Sequence, residues 1–155
     1  MLAVRIAEES FDPVAEEKAF LCTAGIAGAS VAFVGSVRAE QGAVTGLELE
    51  CWPGRTERLI RERGEAVIDR FGLDALLVVH RVGTMAPGEP IVQVVAHARH
   101  RRAAFEGVDC MMDYLKTEAL FWKKELRGDD SEWIEPRAQD YDDAARWEGV
   151  SRARH

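Results

Sequence analysis

The sequence predicts an α+β fold, a sandwich of antiparallel strands with packed helices in a single domain. Three observations carry that expectation. Strand-like runs come as two pairs, each joined by a short polar or Pro/Gly-rich connection, as hairpins are. Helical segments separate and follow the pairs, giving the order αββαββα rather than a regular βαβ repeat. A length of 155 residues, 47% hydrophobic and 30% charged, suits one domain built on one core.

The first helix is expected over about 13–24, where Asp12 is an N-cap, Pro13 takes the first helical position and Glu16 and Glu17 follow near the positive end of the dipole. Ser30–Val37 is β-branched and aromatic and reads as a strand. Val44–Glu50 alternates apolar and polar residues and reads as a half-exposed strand paired with the first. After the Trp52-Pro-Gly54 turn, a helix is expected over about 55–71, with Leu59, Ile60, Ala66, Val67 and Phe71 inward and five arginines mostly outward. Leu76–Val82 and Ile91–His97 read as the third and fourth strands. A long helix over about 101–116 carries the stripe Ala104, Val108, Met111 and Leu115 and is read as continuing or kinking through Thr117–Lys124. Ser131–Glu135 is a short strand candidate and Asp140–Trp147 a last polar helix or tail. The domain is placed at 1–148, with a frayed tail at 149–155.

A formal net charge of −7 argues against a general nucleic-acid binder, though local cationic pockets remain compatible with it. No apolar run reaches the roughly 20 residues that span a bilayer, and the N-terminus lacks the pattern of a signal peptide, so no membrane role and a cytoplasmic location are expected. Cys22, Cys51 and Cys110 form no CxxC pair and read as small buried hydrophobes rather than as reactive thiols. His80 and His97 lie in strand-like runs and read as satisfied core residues. With no HExxH, GxGxxG, P-loop or GxSxG spacing, no metal and no resident cofactor are expected.

Four groups of cations stand out against this acidic background. Arg99-His-Arg-Arg102 falls where the fourth strand meets the long helix, and helix-start N–H groups with forked guanidinium donors suit phosphate or carboxylate; a solvated basic turn has the same appearance. Lys116 and Lys123 are seven residues apart beside Phe121 and Trp122; on a continuous helix that is roughly 10.5 Å of rise with both on one face. Lysines against apolar groups shift their pKa values and serve as acids, bases or fixed charges, and Glu125 is near enough in sequence to orient one of them. Surface lysines on an amphipathic helix are the alternative. Arg38, leaving the strand that contains Phe33, and Arg137, fixed behind Pro136, are weaker candidates for gripping an anion.

Taken together, Phe33-x-Gly-x-Val-Arg38, Glu50-x-Trp-Pro-Gly54, His80-Arg-Val-Gly83, Pro87-Gly-Glu89, His100-Arg-x-x-Ala-Phe-Glu106, Met112-Asp-Tyr-Leu-Lys-Thr117, Phe121-Trp-Lys-Lys-Glu125 and Trp133-Ile-Glu-x-Arg137 resemble the large, catalytic subunit of molybdopterin synthase, the MoaE family. The resemblance covers most of residues 30–137. It implies an α/β-hammerhead-like sandwich. It also implies a sulfurtransferase of molybdenum cofactor biosynthesis that converts cyclic pyranopterin monophosphate to molybdopterin, taking two sulfurs from the thiocarboxylated Gly-Gly terminus of a small ubiquitin-like subunit. On that resemblance Lys116 and Lys123 are the catalytic lysines. Arg38, His100 and Arg101 are substrate- and anion-binding, and Phe33, Met112, Glu125 and Arg137 shape the pocket. The family further implies a homodimer within a heterotetramer, with each pocket drawing residues from both large subunits. A non-catalytic adaptor for a ubiquitin-like tail is the main alternative; a phosphate-ester hydrolase ranks below it, because it lacks a metal site or an evident nucleophile.

Overall fold

The structure, a computed structural model, describes residues 1–38, 43–118 and 121–148. Its elements in chain order are β1 (Leu2–Ala7), α1 (Pro13–Ala24), β2 (Ala29–Ser36), β3 (Gly46–Cys51), α2 (Arg55–Phe71), β4 (Ala75–Arg81), β5 (Gly83–Met85), β6 (Pro90–Ala98), α3 (Arg101–Thr117), β7 (Phe121–Arg127), β8 (Asp130–Ile134) and α4 (Ala138–Ala145). They form one mixed α+β domain with two four-stranded sheets, ordered β1-β4-β6-β2 and β5-β3-β7-β8. Every strand pair is antiparallel except β1 with β4, which is parallel.

The first sheet carries the main core. Its central strands β4 and β6 are apolar on both faces because both faces are covered. Ala75, Leu77, Val79 and Val95 pack under α1 with Phe11 and Phe20, while Leu76, Val78, Val94 and Ala96 pack against α2 and α3 with Ile60, Val67 and Met111. The stripe Ala104, Val108, Met111 and Leu115 is buried throughout, as its spacing predicts. Helix α1 starts as expected: the Asp12 carboxylate accepts the N–H groups of Val14 (2.9 Å) and Ala15 (3.3 Å). Helix α2 opens where Thr56 Oγ1 accepts the Trp52 N–H (3.0 Å) and closes at Gly72, whose φ of 64° lets its N–H return to the Ile68 carbonyl.

Several expectations change. Ala66 is exposed; Ile60, Gly64 and Val67 make the buried side of α2. Cys22 is exposed, Cys51 half-buried and only Cys110 buried. A strand at Leu2–Ala7 was not expected; it borders the first sheet, with Val4 and Ala7 buried. The hairpin expected between the first two strands does not form. Strand β2 pairs with β6, and β3 pairs with β5 and β7 in the second sheet, where Leu47 and Leu49 close a small core with Val37 and Met85.

The largest change is after Thr117. Helix α3 ends there, and Phe121–Arg127 is a strand, not a helix. Its alternation fits a sheet: Phe121, Lys123 and Glu125 share one face, and Trp122 and Lys124 the other. Pairing with β3 on one side and with β8 across the Gly128 turn (φ 64°) makes it a central strand, which outweighs the local helical pattern. The short strand expected near 131 is present as β8 and the polar helix or tail expected near 140 as helix α4, while the frayed end expected at 149–155 lies outside the described residues. No helix among the described residues is long and apolar enough to cross a membrane.

Candidate functional site

The break between α3 and β7 decides the site. Lys116 ends the helix and Lys123 lies on a strand, so the two cannot share a helical face. They are brought together instead by an anchor between the sheets. Phe121 stacks flat on His80 of β4, with centroids 3.8 Å apart and rings inclined by 16°. That contact pins the start of β7 beside the end of α3. His80 is a core residue, as expected: its Nδ1 lies 2.9 Å from the Arg81 carbonyl, and burial lowers its pKa to about 4, so it is neutral at pH 7. His97 is likewise satisfied, by Ser30 Oγ (2.6 Å) and the Gly25 carbonyl (3.1 Å).

Lys123 sits between Leu49 on β3 and Ile134 on β8 in the strand register. Lys123 itself is exposed, and the partial desolvation of its side chain lowers its pKa; Glu125 opposes this, and the positive charges of Lys116, Arg137 and Arg38 lower it further. Arg38, Lys116, Lys123 and Arg137 thus share a neighbourhood with the Glu125 carboxylate. A lysine in such company releases its proton more readily than a free one, which suits it to proton transfer.

Each neighbour is held by its own local structure. Arg38 follows Val37, which is gripped on both sides by the Pro87–Glu89 turn: the Val37 N–H donates to the Glu89 carbonyl (3.0 Å) and the Gly88 N–H to the Val37 carbonyl (2.8 Å). Lys116 lies 3.6 Å from the Asp140 carboxylate. Arg137 heads α4, and its N–H donates to the same carboxylate (2.8 Å). Helix α4 is in turn fastened to α3 through buried Asp113, which accepts Trp147 Nε1 (2.6 Å) and Arg146 Nη2 (2.9 Å), while Trp147 meets Phe71 edge-on at 5.6 Å. Glu125 also pairs with Arg127 (2.9 Å). Met112 is half-buried against the main core, and Phe33 is 40% exposed on β2.

His100 and Arg101 are elsewhere. They stand exposed at the start of α3, and the helix rise places them roughly 23 Å from Lys116 in the same chain. Asp113 and Asp140 were missed in the sequence. Neither carried a signal: Asp113 is two residues from both Met111 and Leu115, which on a helix is the face opposite the apolar stripe. Two of the three thiols are poorly suited to nucleophilic work: burial holds Cys110 up at about 11 and raises Cys51, the latter with help from Glu8.

The fold is a single mixed α+β domain with two four-stranded sheets, and Arg38, Lys116, Lys123 and Arg137 form one cationic neighbourhood on it. Residues 6–118 match the family model described as MoaE protein. The molybdopterin synthase catalytic subunit of Caulobacter vibrioides is 46% identical over 147 residues, spanning 95% of this chain and 98% of that protein. The solved MoaE protein of Burkholderia ambifaria superposes with a TM-score of 0.81 at 39% identity, over 95% of this chain and 98% of that one. A protein–protein complex of subunits 1 and 2 of the molybdopterin-converting factor from Helicobacter pylori shares the fold, with a TM-score of 0.74 at 23% identity over 86% of this chain and 91% of that one. The chain belongs to the MoaE family, and it is a sulfur-transferring enzyme of molybdenum cofactor biosynthesis.

Proposed function

We propose that this chain converts cyclic pyranopterin monophosphate to molybdopterin in the cytoplasm, receiving both sulfurs from the thiocarboxylated Gly-Gly terminus of a small ubiquitin-like subunit. The observation that carries the reading is the neighbourhood of Lys123, an exposed lysine whose proton is loosened by partial desolvation and by the charges of Lys116, Arg137 and Arg38. Such a cluster of cations attracts both a cyclic phosphate and a carboxylate-ended tail, and raised pKa values at Cys51 and Cys110 make these two thiols poor sulfur carriers, in keeping with delivery by a partner. The naming of relatives as catalytic subunits, and the two-subunit Helicobacter pylori complex, agree with such a partner.

In this reading Lys123 is the proton-transfer group. Its ammonium is disfavoured by desolvation and by its cationic neighbours, so it cycles more readily than an ordinary lysine. Lys116 is the fixed charge: it polarises the thiocarboxylate carbonyl and stabilises the anion that develops as sulfur bonds to the pterin side chain. Arg38 and Arg137 hold phosphate, and Phe33, Met112 and Glu125 shape the walls. His100 and Arg101 reach a pocket only from a second copy, because α3 separates them from Lys116 in their own chain. A homodimer within a heterotetramer meets that requirement, each copy contributing its domain of residues 1–148.

The test is dithiolene formation from cyclic pyranopterin monophosphate with the small subunit in thiocarboxylate or plain carboxylate form. The reading expects product only with the thiocarboxylate. Tail binding without product in either case would favour a non-catalytic adaptor.

A further inference from the structure

We propose that Asp140 is the positioning residue for Lys116, and that its two carboxylate oxygens divide two tasks. Oδ2 accepts the Arg137 N–H at 2.8 Å, which closes the start of α4; Oδ1 faces Lys116 Nζ at 3.6 Å. The inference rests on the functional reading above and extends it to a residue with no assigned role in the reaction.

Exposure separates the partners. The Lys116 side chain is 53% exposed, a long chain at a helix end with freedom to sample many rotamers, whereas the Asp140 side chain is 19% exposed and tied to the backbone of its own helix. The carboxylate is therefore the fixed member and the ammonium the guided one. Asp140 is not needed to dock α4, since Asp113 fastens the far end of that helix through Arg146 and Trp147. What it adds is alignment: one side chain sets where Arg137 begins α4 and where the Lys116 ammonium points, so the two cations beside Lys123 keep a common frame. A carboxylate here also offsets part of the repulsion within a cluster that holds Arg38, Lys116, Lys123 and Arg137.

Two substitutions separate alignment by charge from helix capping. Asp140→Asn keeps an oxygen for the Arg137 N–H and loses the charge; Asp140→Glu keeps the charge, and glutamate is a favoured residue at this third helical position. The whole chain is assayed with the thiocarboxylated small subunit, and Lys116 accessibility is read separately by competitive acetic anhydride labelling with Lys18 as internal reference. In Asp140→Asn, Lys116 is expected to label several-fold faster relative to Lys18. Its kcat is expected to fall about fivefold with KM unchanged, the rate equivalent of one partly exposed ion pair. Asp140→Glu is expected to restore both. Equal Lys116 labelling in all three proteins, or an equal loss of kcat in both variants, would overturn the proposal. A wild-type chain that makes no product would overturn the functional reading instead, and the labelling would still decide the pairing.

Discussion

Asp113→Ala is the perturbation that reaches furthest from packing into function. Asp113 is 7% exposed and joins α3 to the end of α4 by accepting Trp147 Nε1 at 2.6 Å and Arg146 Nη2 at 2.9 Å. Hydrogen bonds to a charged group contribute about 1.5–3 kcal/mol each, but Arg146 is 47% exposed and its share is reduced by solvent screening. The expected loss is about 2–3 kcal/mol, most of it from the Trp147 bond. For a chain of this size each kcal/mol moves Tm by about 2–4 °C, so a fall of about 4–12 °C is expected. Asp113→Asn keeps an acceptor for the indole and is expected to lose about 1 kcal/mol. Calorimetry at one fixed protein concentration gives the Tm, and hydrogen exchange locates the change. Protection is expected to fall first in Ala138–Ala145, the helix that carries Asp140 and follows Arg137. A Tm within about 1 °C of wild type, or unchanged protection of α4, would refute the reasoning that Asp113 holds this helix in place.

Three further outcomes follow from the same geometry. Glu125 opposes the lowering of the Lys123 pKa, so Glu125→Gln lets Lys123 lose its proton at lower pH; the acid limb of the kcat/KM profile is expected to move to lower pH, and movement the other way would exclude Lys123 as the titrating group. His80 has a folded pKa of about 4 against 6.5 unfolded, so the unfolded chain binds the extra proton between those values: its stabilising contribution is complete above pH 6.5 and is lost as pH falls toward 4, by about 3 kcal/mol. Denaturant titrations of wild type and His80→Phe across that range are expected to show the slope only in wild type. Finally, Lys116→Ala and Arg101→Ala chains mixed one to one are expected to recover about a quarter of wild-type activity after subunit exchange, because half the dimers are mixed and one of their two sites is intact. No recovery would mean that Arg101 does not serve the site across the dimer.

Helices α1, α2 and α3 were legible because their signals are local: Asp12 and Pro13 at one start, the Trp52-Pro-Gly54 turn before the next, and a four-three-four stripe in the third. The failures are non-local. Strand β2 finds its partner in β6, some sixty residues on, and β7 becomes a strand because β3 and β8 flank it, although Lys116 and Lys123 are spaced as two turns of a helix. The cations that surround Lys123 were named from motif and charge, though not how the fold gathers them. Asp140 could not be named that way, because its role depends on how α4 lies along α3, and neither could Asp113, which lies on the helix face opposite the Ala104–Leu115 stripe and finds Arg146 and Trp147 there as partners.

The most direct measurement of the central claim is single-turnover formation of the dithiolene product from cyclic pyranopterin monophosphate and the thiocarboxylated small subunit, comparing wild type with Lys116→Ala and Lys123→Ala at matched tail binding. The lysine-pair account predicts product from wild type and a rate at least about a hundredfold lower in each variant. Turnover within a few-fold of wild type in either variant would contradict it.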